Sequence, residues 1–306
     1  MRPVSYMLAA PRVRRLLERI KPDVVHSHYV TSYGLVGALI GVRPHIATAW
    51  GTDVLVWPQK SRLAKSLVSW TLKRADLVTS MARHMTEVIG SLGVPMSRIV
   101  TLPFGVDTRI FHPGLHQWDA ETIDVVCTRA LEPVYDLDTL IRALPVVRAR
   151  FPEFRCLLLG RGSRRRHLEL LARNLGVDSH IRWLGQLDQP SLATWLGQSR
   201  VFVSTSRSDG NNISLNEAMA CGCFPVVSDI PANREWIDGD RNGVLVPPGR
   251  SDLVAEGIIE GLSSRRRADV AAGNWEIVRD RGDWHKNIRT IEEHYQLMRT
   301  SRVAVS

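Results

Sequence analysis

The chain has 306 residues, which is room for two domains of ordinary size that each bury a core. Apolar residues make up 44% of it and charged residues 23%, a composition typical of soluble globular proteins, and no apolar run is long enough to span a membrane. The net charge of +9 is compatible with nucleic acid, an anionic membrane or a phosphorylated ligand as a partner. Nucleic acid is disfavoured, because the arginine clusters carry no interleaved aromatic residues.

The cysteines do not indicate a metal site or a disulfide framework. They lie in apolar, strand-like or tight-turn settings at Cys127, Cys156, Cys221 and Cys223. Their spacing matches no four-ligand zinc pattern, so we interpret them as reduced core residues of a cytoplasmic protein.

The first third of the chain alternates between short strands and helices. Strands are predicted at 24–27, 45–49, 75–79 and 98–102, and helices at 8–20, 34–40, 61–74 and 82–92. This alternation is typical of a parallel sheet that carries its turn residues at the carboxyl ends of the strands. The first helix has apolar residues beside Arg12, Arg14 and Arg15. It either lies on an anionic membrane surface or packs on its own sheet with a solvated basic face.

The alternating pattern lapses between Thr108 and Glu121 and then resumes. Six further strands are predicted, at 123–127, 155–159, 180–184, 201–204, 224–228 and 243–246. We therefore expect an N-terminal domain over 1–110, a C-terminal domain over 120–262, and helices over 263–306 that pack back on the N-terminal domain. A doubly wound sheet usually has five or six strands, so the first sheet is expected to lack its opening strands.

The stretch 206–249 contains the residues best suited to chemistry. Asp209 lies in a turn rich in Gly and Asn, and Glu217 follows eight positions later on a predicted helix. Free N–H groups at such a helix start can hold a phosphate, and a carboxylate on its first turns can reach a ribose diol or a sugar hydroxyl. The alternative is that Asp209 and Glu217 are ordinary turn and capping residues.

Six short motifs occur in order along the chain. They are PDVVHSH at 22–28, GTD at 51–53, PFGVD at 103–107, LGRG at 159–162, EAMACG at 217–222 and NGVLVP at 242–247. Together they resemble the retaining, nucleotide-sugar-dependent glycosyltransferases of family four. The resemblance covers nearly the whole chain and implies an α/β protein of the GT-B fold, with two facing Rossmann-like domains. The N-terminal domain is expected to be incomplete, because the usual opening strand and Gly-rich loop are not found before the helix at 8–20.

The resemblance assigns the donor site to the second domain. Asp209 takes the position of the first acid of the family's Glu-x7-Glu motif, near the transferred sugar, although its side chain is one methylene shorter than the usual Glu. Arg129 matches the arginine that grips the diphosphate and stabilises the charge of the leaving group. Asp209 and Arg129 are the expected catalytic residues. The expected donor-binding residues are Glu217, which would bind the ribose diol, and Asn212, Ile213, Ser214, Gly160, Gly162 and Leu184.

Two positions depart from the family pattern. Tyr135 stands near the place of a lysine that usually adds a second positive charge at the diphosphate, so one charge is missing there unless Arg161 or another residue supplies it. Trp50 stands where a histidine usually precedes the glycine of the 51–53 turn. The residues expected on the acceptor side are His28, Trp50 and Asp53.

The resemblance implies a metal-independent hexosyltransferase in polysaccharide, lipopolysaccharide or glycolipid biosynthesis. Its partners would be a nucleotide sugar as donor and a saccharide or lipid-linked acceptor, with no further cofactor. We expect a cytoplasmic protein that binds peripherally to the anionic inner face of the membrane. Two alternatives stay open. One is a non-catalytic or truncated relative that only binds, and the other is a nucleotide-sugar epimerase of the same fold.

Overall fold

The computed structural model describes residues 6–115, 122–239 and 241–303. Its contacts divide the chain into two compact units, Met1–Phe104 with His285–Ser306 and Gly105–Trp284. Each unit contains one parallel sheet, as expected for alternating strands and helices.

The first unit contains a four-stranded parallel sheet whose strands lie in chain order. The strands are β1 (Val25–His28), β2 (His45–Thr48), β3 (Leu77–Ser80) and β4 (Ile99–Thr101). The helices are α1 (Ala10–Ile20), α2 (Leu35–Ile40), α3 (Thr52–Leu55), α4 (Arg62–Arg74) and α5 (Arg83–Ser91). Every residue of β2 and β3 is buried, as expected of parallel strands that are covered on both faces.

Helix α1 packs on the first unit along only one side. Val13 and Leu17 are half-buried, and the Arg14 guanidinium donates a hydrogen bond to the Ile40 carbonyl at 2.9 Å. Leu16 and Ile20 keep 43% and 59% of their surface exposed, and no residue of the helix is buried. The helix therefore packs on its own unit along one side, as the second interpretation expects, and contact with a membrane surface stays a prediction.

The second unit contains a six-stranded parallel sheet in the order β10-β9-β8-β5-β6-β7. The strands are β5 (Ile123–Cys127), β6 (Cys156–Leu159), β7 (Ile181–Gly185), β8 (Ser199–Ser204), β9 (Phe224–Ser228) and β10 (Val244–Val246). The helices are α6 (Leu137–Arg150), α7 (Arg165–Asn174), α8 (Gln189–Gly197), α9 (Ile213–Ala220), α10 (Pro231–Arg234), α11 (Ser251–Ser263) and α12 (Arg267–Arg281). The strand order reverses between β5 and β8, which is where doubly wound sheets open a crevice at the carboxyl ends of their strands.

Two apolar clusters cover the faces of the second sheet, because successive side chains of a strand point to opposite faces. Val125 and Val126 of β5 belong to different clusters for this reason. The cysteines are shared between the clusters, and all of them are buried and unbridged, at Cys127, Cys156, Cys221 and Cys223. This agrees with their interpretation as core residues, and burial raises the pKa of the Cys127 thiol to about 11.

All ten strands predicted from the sequence are present, with ends that differ by at most two residues. The division of the chain differs from the prediction, since the units separate after Phe104 rather than near residue 110. The helices over 263–306 do not stay together either. Helix α12 belongs to the second unit, where Val270 and Val278 enter its two apolar clusters, and only His285–Ser306, which holds most of α13 (Trp284–Val303), belongs to the first. The predicted boundary at 120 lies outside the described residues.

Candidate functional site

The switch point of the second sheet brings two oppositely charged loops together. Arg129 follows β5 and Asp209 follows β8, and these two strands pair directly. The Arg129 Nη2 atom donates to an Asp209 carboxylate oxygen at 2.5 Å, and the two side chains are only 9% and 14% exposed. The predicted catalytic residues lie 80 positions apart in the chain and meet here because paired parallel strands end at the same edge.

Helix α9 begins beside this ion pair and is capped by Asn212. The Asn212 Oδ1 atom accepts hydrogen bonds from the Leu215 N–H at 3.2 Å and from Arg129 Nη1 at 2.8 Å. Ser214 Oγ accepts from the same Nη1 at 3.3 Å. Asp209 and Glu217 are therefore not capping residues, since Asn212 fills that position. Within the first turn the Ile213 N–H donates to the Asn211 carbonyl oxygen at 2.9 Å and the Leu215 N–H is taken by Asn212, so what this helix start offers an anion is mainly the positive end of the helix dipole.

Glu217 lies inside α9 and is half-buried. Burial raises the pKa of its carboxyl to about 7, although the positive charge of Arg129 acts in the opposite direction. Within the described residues, no hydrogen-bond donor reaches this carboxylate. Such a group is available to a hydroxyl-bearing ligand, which is the role that the sequence resemblance gave it.

Gly160 and Gly162 hold the loop after β6 against the loop after β5. A Cβ atom on Gly160, whose φ is +146°, would lie 2.4 Å from the Arg129 carbonyl oxygen. One on Gly162 would lie 2.3 Å from the Leu131 carbonyl oxygen. Any side chain at these two positions would overlap the backbone of the loop after β5, so both must be glycine for the two loops to approach this closely. The approach fixes the position of the Arg129 loop.

Ile213 and Leu184 are half-buried, and their side chains pack against the apolar cluster that contains Met219. Leu184 precedes Gly185, where the ladder between β6 and β7 shifts its register. The side chains of Ile213 and Leu184 therefore belong to the core. Their predicted contact with the donor stays a prediction.

The carboxyl edge of the first sheet carries neutral polar groups rather than an ion pair. His26 Nε2 and Thr48 Oγ1 are hydrogen bonded at 2.6 Å, and His26 Nδ1 and Tyr295 Oη on α13 are also 2.6 Å apart. Burial and the neighbouring His28 lower the pKa of His26 to about 4, and burial lowers the pKa of His28. Both imidazoles are therefore neutral at physiological pH.

Rings surround a pocket at this edge. The His26 and His28 rings stack with their centroids 4.4 Å apart, and Trp50 stacks on Phe104 with the centroids 4.9 Å apart. Trp50 remains 40% exposed. A pocket of about 190 Å³ lies beside them, lined by residues that include His28, Phe104, Ile288 and Tyr295. Apolar ring faces next to neutral hydrogen-bonding groups suit an uncharged polyhydroxyl ligand.

Asp53 does not face a ligand. It is fully buried, and its carboxylate accepts hydrogen bonds from the backbone N–H groups of Val30, Trp50 and Gly51 at 2.8 to 3.3 Å. Burial raises its pKa, which these hydrogen bonds partly offset. The side chain fixes the turn that presents Trp50, and it is not placed to bind an acceptor.

Sequence reasoning missed several residues at these edges. Tyr295 contacts His26 from 269 positions away, and no local signal announces such a pairing. Phe104 lies in the PFGVD motif and was visible as a turn residue, but its contact with Trp50 was not. The Asn233 Oδ1 atom accepts from the Asn212 amide at 2.9 Å, which is a third long-range contact.

Among the described residues, no helix is long and apolar enough to cross a bilayer. No group of three or more His, Cys, Asp or Glu side chains in the same residues is arranged to hold a metal ion. The aspartates at the start of α6 have separate partners: Asp136 binds Thr139 Oγ1 and Arg207, whereas Asp138 binds Arg164 and His167.

These observations define an α/β protein of two parallel sheets, with a charged site at the switch point of the second. Comparison with known families identifies it further. The model of the family "Glycosyl transferases group 1" matches residues 111–274, and that of "Glycosyl transferase 4-like" matches residues 1–82. The chain belongs to the glycosyl transferases group 1 family and is a glycosyltransferase.

Relatives with established names agree with this assignment. The chain is 26% identical to the GDP-mannose-dependent alpha-(1-6)-phosphatidylinositol monomannoside mannosyltransferase of Mycolicibacterium smegmatis, over 99% of this chain and 85% of the relative. It is 31% identical to the phosphatidyl-myo-inositol mannosyltransferase of Mycobacterium tuberculosis H37Rv, over 89% of this chain and 73% of the relative. These matches favour a transferase over the non-catalytic alternative.

Solved structures support the fold. The sucrose-phosphate synthase of Thermosynechococcus elongatus superposes with a TM-score of 0.84 at 18% identity, over 99% of this chain and 79% of that one. HepE of Anabaena, solved with UDP and glucose, superposes with a TM-score of 0.80 at 19% identity, over 95% and 83%. The two-sheet architecture is that of the GT-B glycosyltransferases.

Proposed function

We propose that this chain transfers a sugar from a nucleoside-diphosphate sugar to a hydroxyl of a saccharide or lipid-linked acceptor, with retention of anomeric configuration and without a metal ion. The observation that supports this most directly is the state of Arg129. Its Nε–H is buried without a partner among the described residues, beside the capped start of α9. An arginine fork next to a helix N-terminus is a combination that binds diphosphates.

Other unsatisfied groups surround the same loops. Thr128 Oγ1, Asn211 Nδ2 and both amide atoms of Asn216 are buried without a partner in the part of the chain that the structure describes. Buried polar groups in native proteins are nearly always hydrogen bonded, to protein, water or ligand. Their concentration around one edge of the sheet supports a polar ligand there.

The proposed roles follow from this placement. Arg129 and the positive end of the α9 helix dipole would stabilise the negative charge that grows on the departing diphosphate. Glu217 would bind the ribose diol, and Asp209 would lie near the transferred sugar. The acceptor oxygen would bond to the anomeric carbon on the face that the diphosphate leaves, and its proton would pass to a phosphate oxygen. This route uses no protein nucleophile.

The donor site can be tested by thermal unfolding with UDP-glucose, GDP-mannose, ADP-glucose and a CDP-sugar. The mycobacterial relative is named for GDP-mannose and HepE was solved with UDP, so UDP and GDP are the bases we propose first. A ligand at a hundredfold of its Kd adds about 2.7 kcal/mol, a shift of several degrees. A cooperative transition that no nucleotide sugar shifts would contradict the proposal.

Retention is tested on the product. Incubation with the stabilising donor and an acceptor should yield a glycoside whose anomeric configuration, read from NMR coupling constants, equals that of the donor. An inverted product would overturn the retaining assignment, and an altered nucleotide sugar formed without acceptor would indicate an epimerase.

We also propose that α1 places the protein on an anionic membrane surface. Arg12, Arg15 and Arg19 are exposed and form a stripe beside the exposed Leu16 and Ile20. A helix with basic residues next to an exposed apolar strip binds at the interface of anionic lipids. A lipid-linked acceptor would then be reached at the same surface.

Vesicle flotation tests this second proposal. The protein should float with vesicles that contain phosphatidylglycerol and should not float with pure phosphatidylcholine vesicles. Leu16→Glu should abolish flotation, whereas Leu63→Glu on α4, at a leucine that is 80% exposed, should leave it unchanged. Equal flotation of the two variants would show that α1 is not the contact.

A further inference from the structure

Tyr135 packs its ring on the guanidinium of Arg129. The Arg129 Cζ atom lies 4.2 Å from the centre of the Tyr135 ring, the shortest arginine-to-ring distance among the described residues. At this distance the cation lies against the aromatic face, where the ring quadrupole attracts it. The residue that stands near the expected second cation therefore interacts with the first one.

Arg129 is confined on several sides. Its Nη1 donates to Asn212 and Ser214, its Nη2 donates to Asp209, and its face lies on Tyr135. Its Nε is the guanidinium nitrogen that has no hydrogen-bond partner within the described residues. The hydrogen bonds fix the end of the fork, and the ring limits rotation of its plane.

The loop that carries Tyr135 is fixed by contacts with the loop after β8. Thr205 Oγ1 donates to the carbonyl oxygens of Tyr135 and Asp136, and the Arg207 N–H donates to the Val134 carbonyl at 2.9 Å. The Asp136 carboxylate accepts from the Arg207 guanidinium at 3.0 Å. Tyr135 is thus held relative to the same loop that carries Asp209.

The backbone after Tyr135 supports the same conclusion. Asp136 has a φ of +46°, a conformation that residues other than glycine rarely adopt. Such backbones persist where the surrounding contacts impose them, and they cluster at functional sites. The contacts of Thr205 and Arg207 impose it here, which sets the exit of the turn that carries Tyr135.

We propose that Tyr135 is a positioning residue, whose ring holds the Arg129 guanidinium in the plane that meets the donor diphosphate. This rests on the donor site proposed above. The ring adds no positive charge, so the donor diphosphate would meet one guanidinium of fixed orientation where the family pattern usually has two cations. Orientation matters because a fork binds a diphosphate only when its N–H groups point at the phosphate oxygens.

The test compares Tyr135→Phe, which keeps the aromatic face, with Tyr135→Leu, which removes it. Tyr135→Phe should keep kcat and the donor KM within about twofold of the parent values, whereas Tyr135→Leu should lower kcat about tenfold, the upper part of the range expected for loss of a desolvated cation–π contact. Trp70→Leu removes the ring beside Arg74, 5.1 Å away, and is the matched control that should leave kcat unchanged. Tyr135→Met replaces Tyr135→Leu if the latter does not melt cooperatively.

A second readout does not need the donor. The Arg129 Nε–H signal, assigned in arginine-labelled protein by its loss in Arg129→Met, should be shifted by the ring and protected from exchange. Both properties should survive in Tyr135→Phe and disappear in Tyr135→Leu. A signal unchanged by Tyr135→Leu would overturn the positioning role, and so would a Tyr135→Phe variant as slow as Tyr135→Leu.

The two readouts separate the two hypotheses. If the signal depends on the ring but no nucleotide sugar binds, the positioning of Arg129 stands and the proposed donor site fails. If donors bind and the signal does not depend on the ring, the function stands and the role of Tyr135 fails. A double mutant tests whether Tyr135 acts through Arg129. If it does, adding Tyr135→Leu to Arg129→Met should change UDP or GDP affinity by less than about twofold.

Discussion

The carboxyl edges of the two sheets share one architecture and differ in chemistry. The edge of the second unit is charged, with Arg129 and Asp209 paired at 2.5 Å. The edge of the first unit is neutral, with His26, Thr48 and Tyr295 joined by hydrogen bonds of 2.6 Å. A charged edge suits an anionic diphosphate and a neutral one suits a sugar hydroxyl. The two sheets share a fold, and the residues at their strand ends give each edge its chemistry.

Burial makes the stability of the protein depend on pH in opposite directions at the two edges. The reason is that burial disfavours the charged form of both an acid and a base. Burial raises the pKa of Glu217 from 4.5 to about 7. Between these pH values Glu217 binds more protons in the folded state than in the unfolded state, so the free energy of unfolding falls as the pH rises from 4.5 to 7. Burial lowers the pKa of His26 from 6.5 to about 4, so stability falls as the pH falls through that window. Acidification should strengthen the second edge and weaken the first.

The largest expected effect comes from breaking the charged edge. Arg129→Lys leaves a point charge that cannot reach Asp209, Asn212 and the diphosphate together, and kcat/KM should fall about 10² to 10³-fold. Steady-state kinetics with the stabilising donor measure this. The matched control is Arg200→Lys, since Arg200 pairs with Asp124 at 2.9 Å at the amino ends of the same two strands. Equal losses in the two variants would show a structural effect rather than a catalytic one.

The second prediction sharpens the contrast in pH. Glu217→Gln removes the buried acid, so the variant should be more stable than the parent by about 3 kcal/mol at pH 8 and equally stable near pH 4.5. Its affinity for the donor should nevertheless fall. Urea unfolding at several pH values measures the first effect, with the exposed Glu153→Gln as control. A pH-independent difference would contradict the raised pKa.

The third prediction breaks the neutral edge. His26→Asn removes an imidazole that is neutral in the folded state. The parent loses stability between pH 6.5 and pH 4, and this loss should be smaller in the variant by about 2 kcal/mol, a value reduced for solvent screening of a partly exposed ring. Hydrogen exchange of β1 at pH 5 locates the effect. Tyr295→Phe should lower stability by about 1 kcal/mol at pH 7, the net value of one hydrogen bond. Identical acid profiles for parent and His26→Asn would contradict this.

The smallest expected effect concerns the acceptor. Trp50→Ala removes an exposed ring from the neutral edge, and the acceptor KM should rise about fivefold while the donor KM stays constant. Trp70→Ala is closely matched, because Trp70 is 38% exposed and Trp50 is 40% exposed. A rise in the donor KM instead would place Trp50 on the donor side.

Much of the fold could be predicted from the sequence. The ten strands were found because apolar runs bounded by turn residues depend on neighbours within a few positions. The loop with Asp209 and Glu217 was found for the same reason, as a turn followed by a helix start. The sequence did not predict that α12 separates from the other C-terminal helix, because Val270 and Val278 of α12 join apolar clusters whose strands lie far away in the chain.

Site geometry depended on contacts that local patterns do not contain. The family resemblance put Asp53 on the acceptor side, yet its oxygens are taken by three backbone N–H groups. Gly160 and Gly162 looked like donor contacts, and the structure accounts for both by the closeness of the Arg129 loop. The sequence showed that Tyr135 stands where the family pattern has a lysine, but it did not show that the ring packs on Arg129.

The sequence by itself determined the alternation of strands and helices, the family and the residue types at the strand ends, because these follow from periodicity and short motifs. The tertiary structure alone decided which of those residues meet. Parallel pairing of β5 with β8 brings Arg129 to Asp209 across 80 positions, and α13 brings Tyr295 to His26 across 269. Such contacts arise where strands and helices pack together, and sequence separation carries no information about that distance.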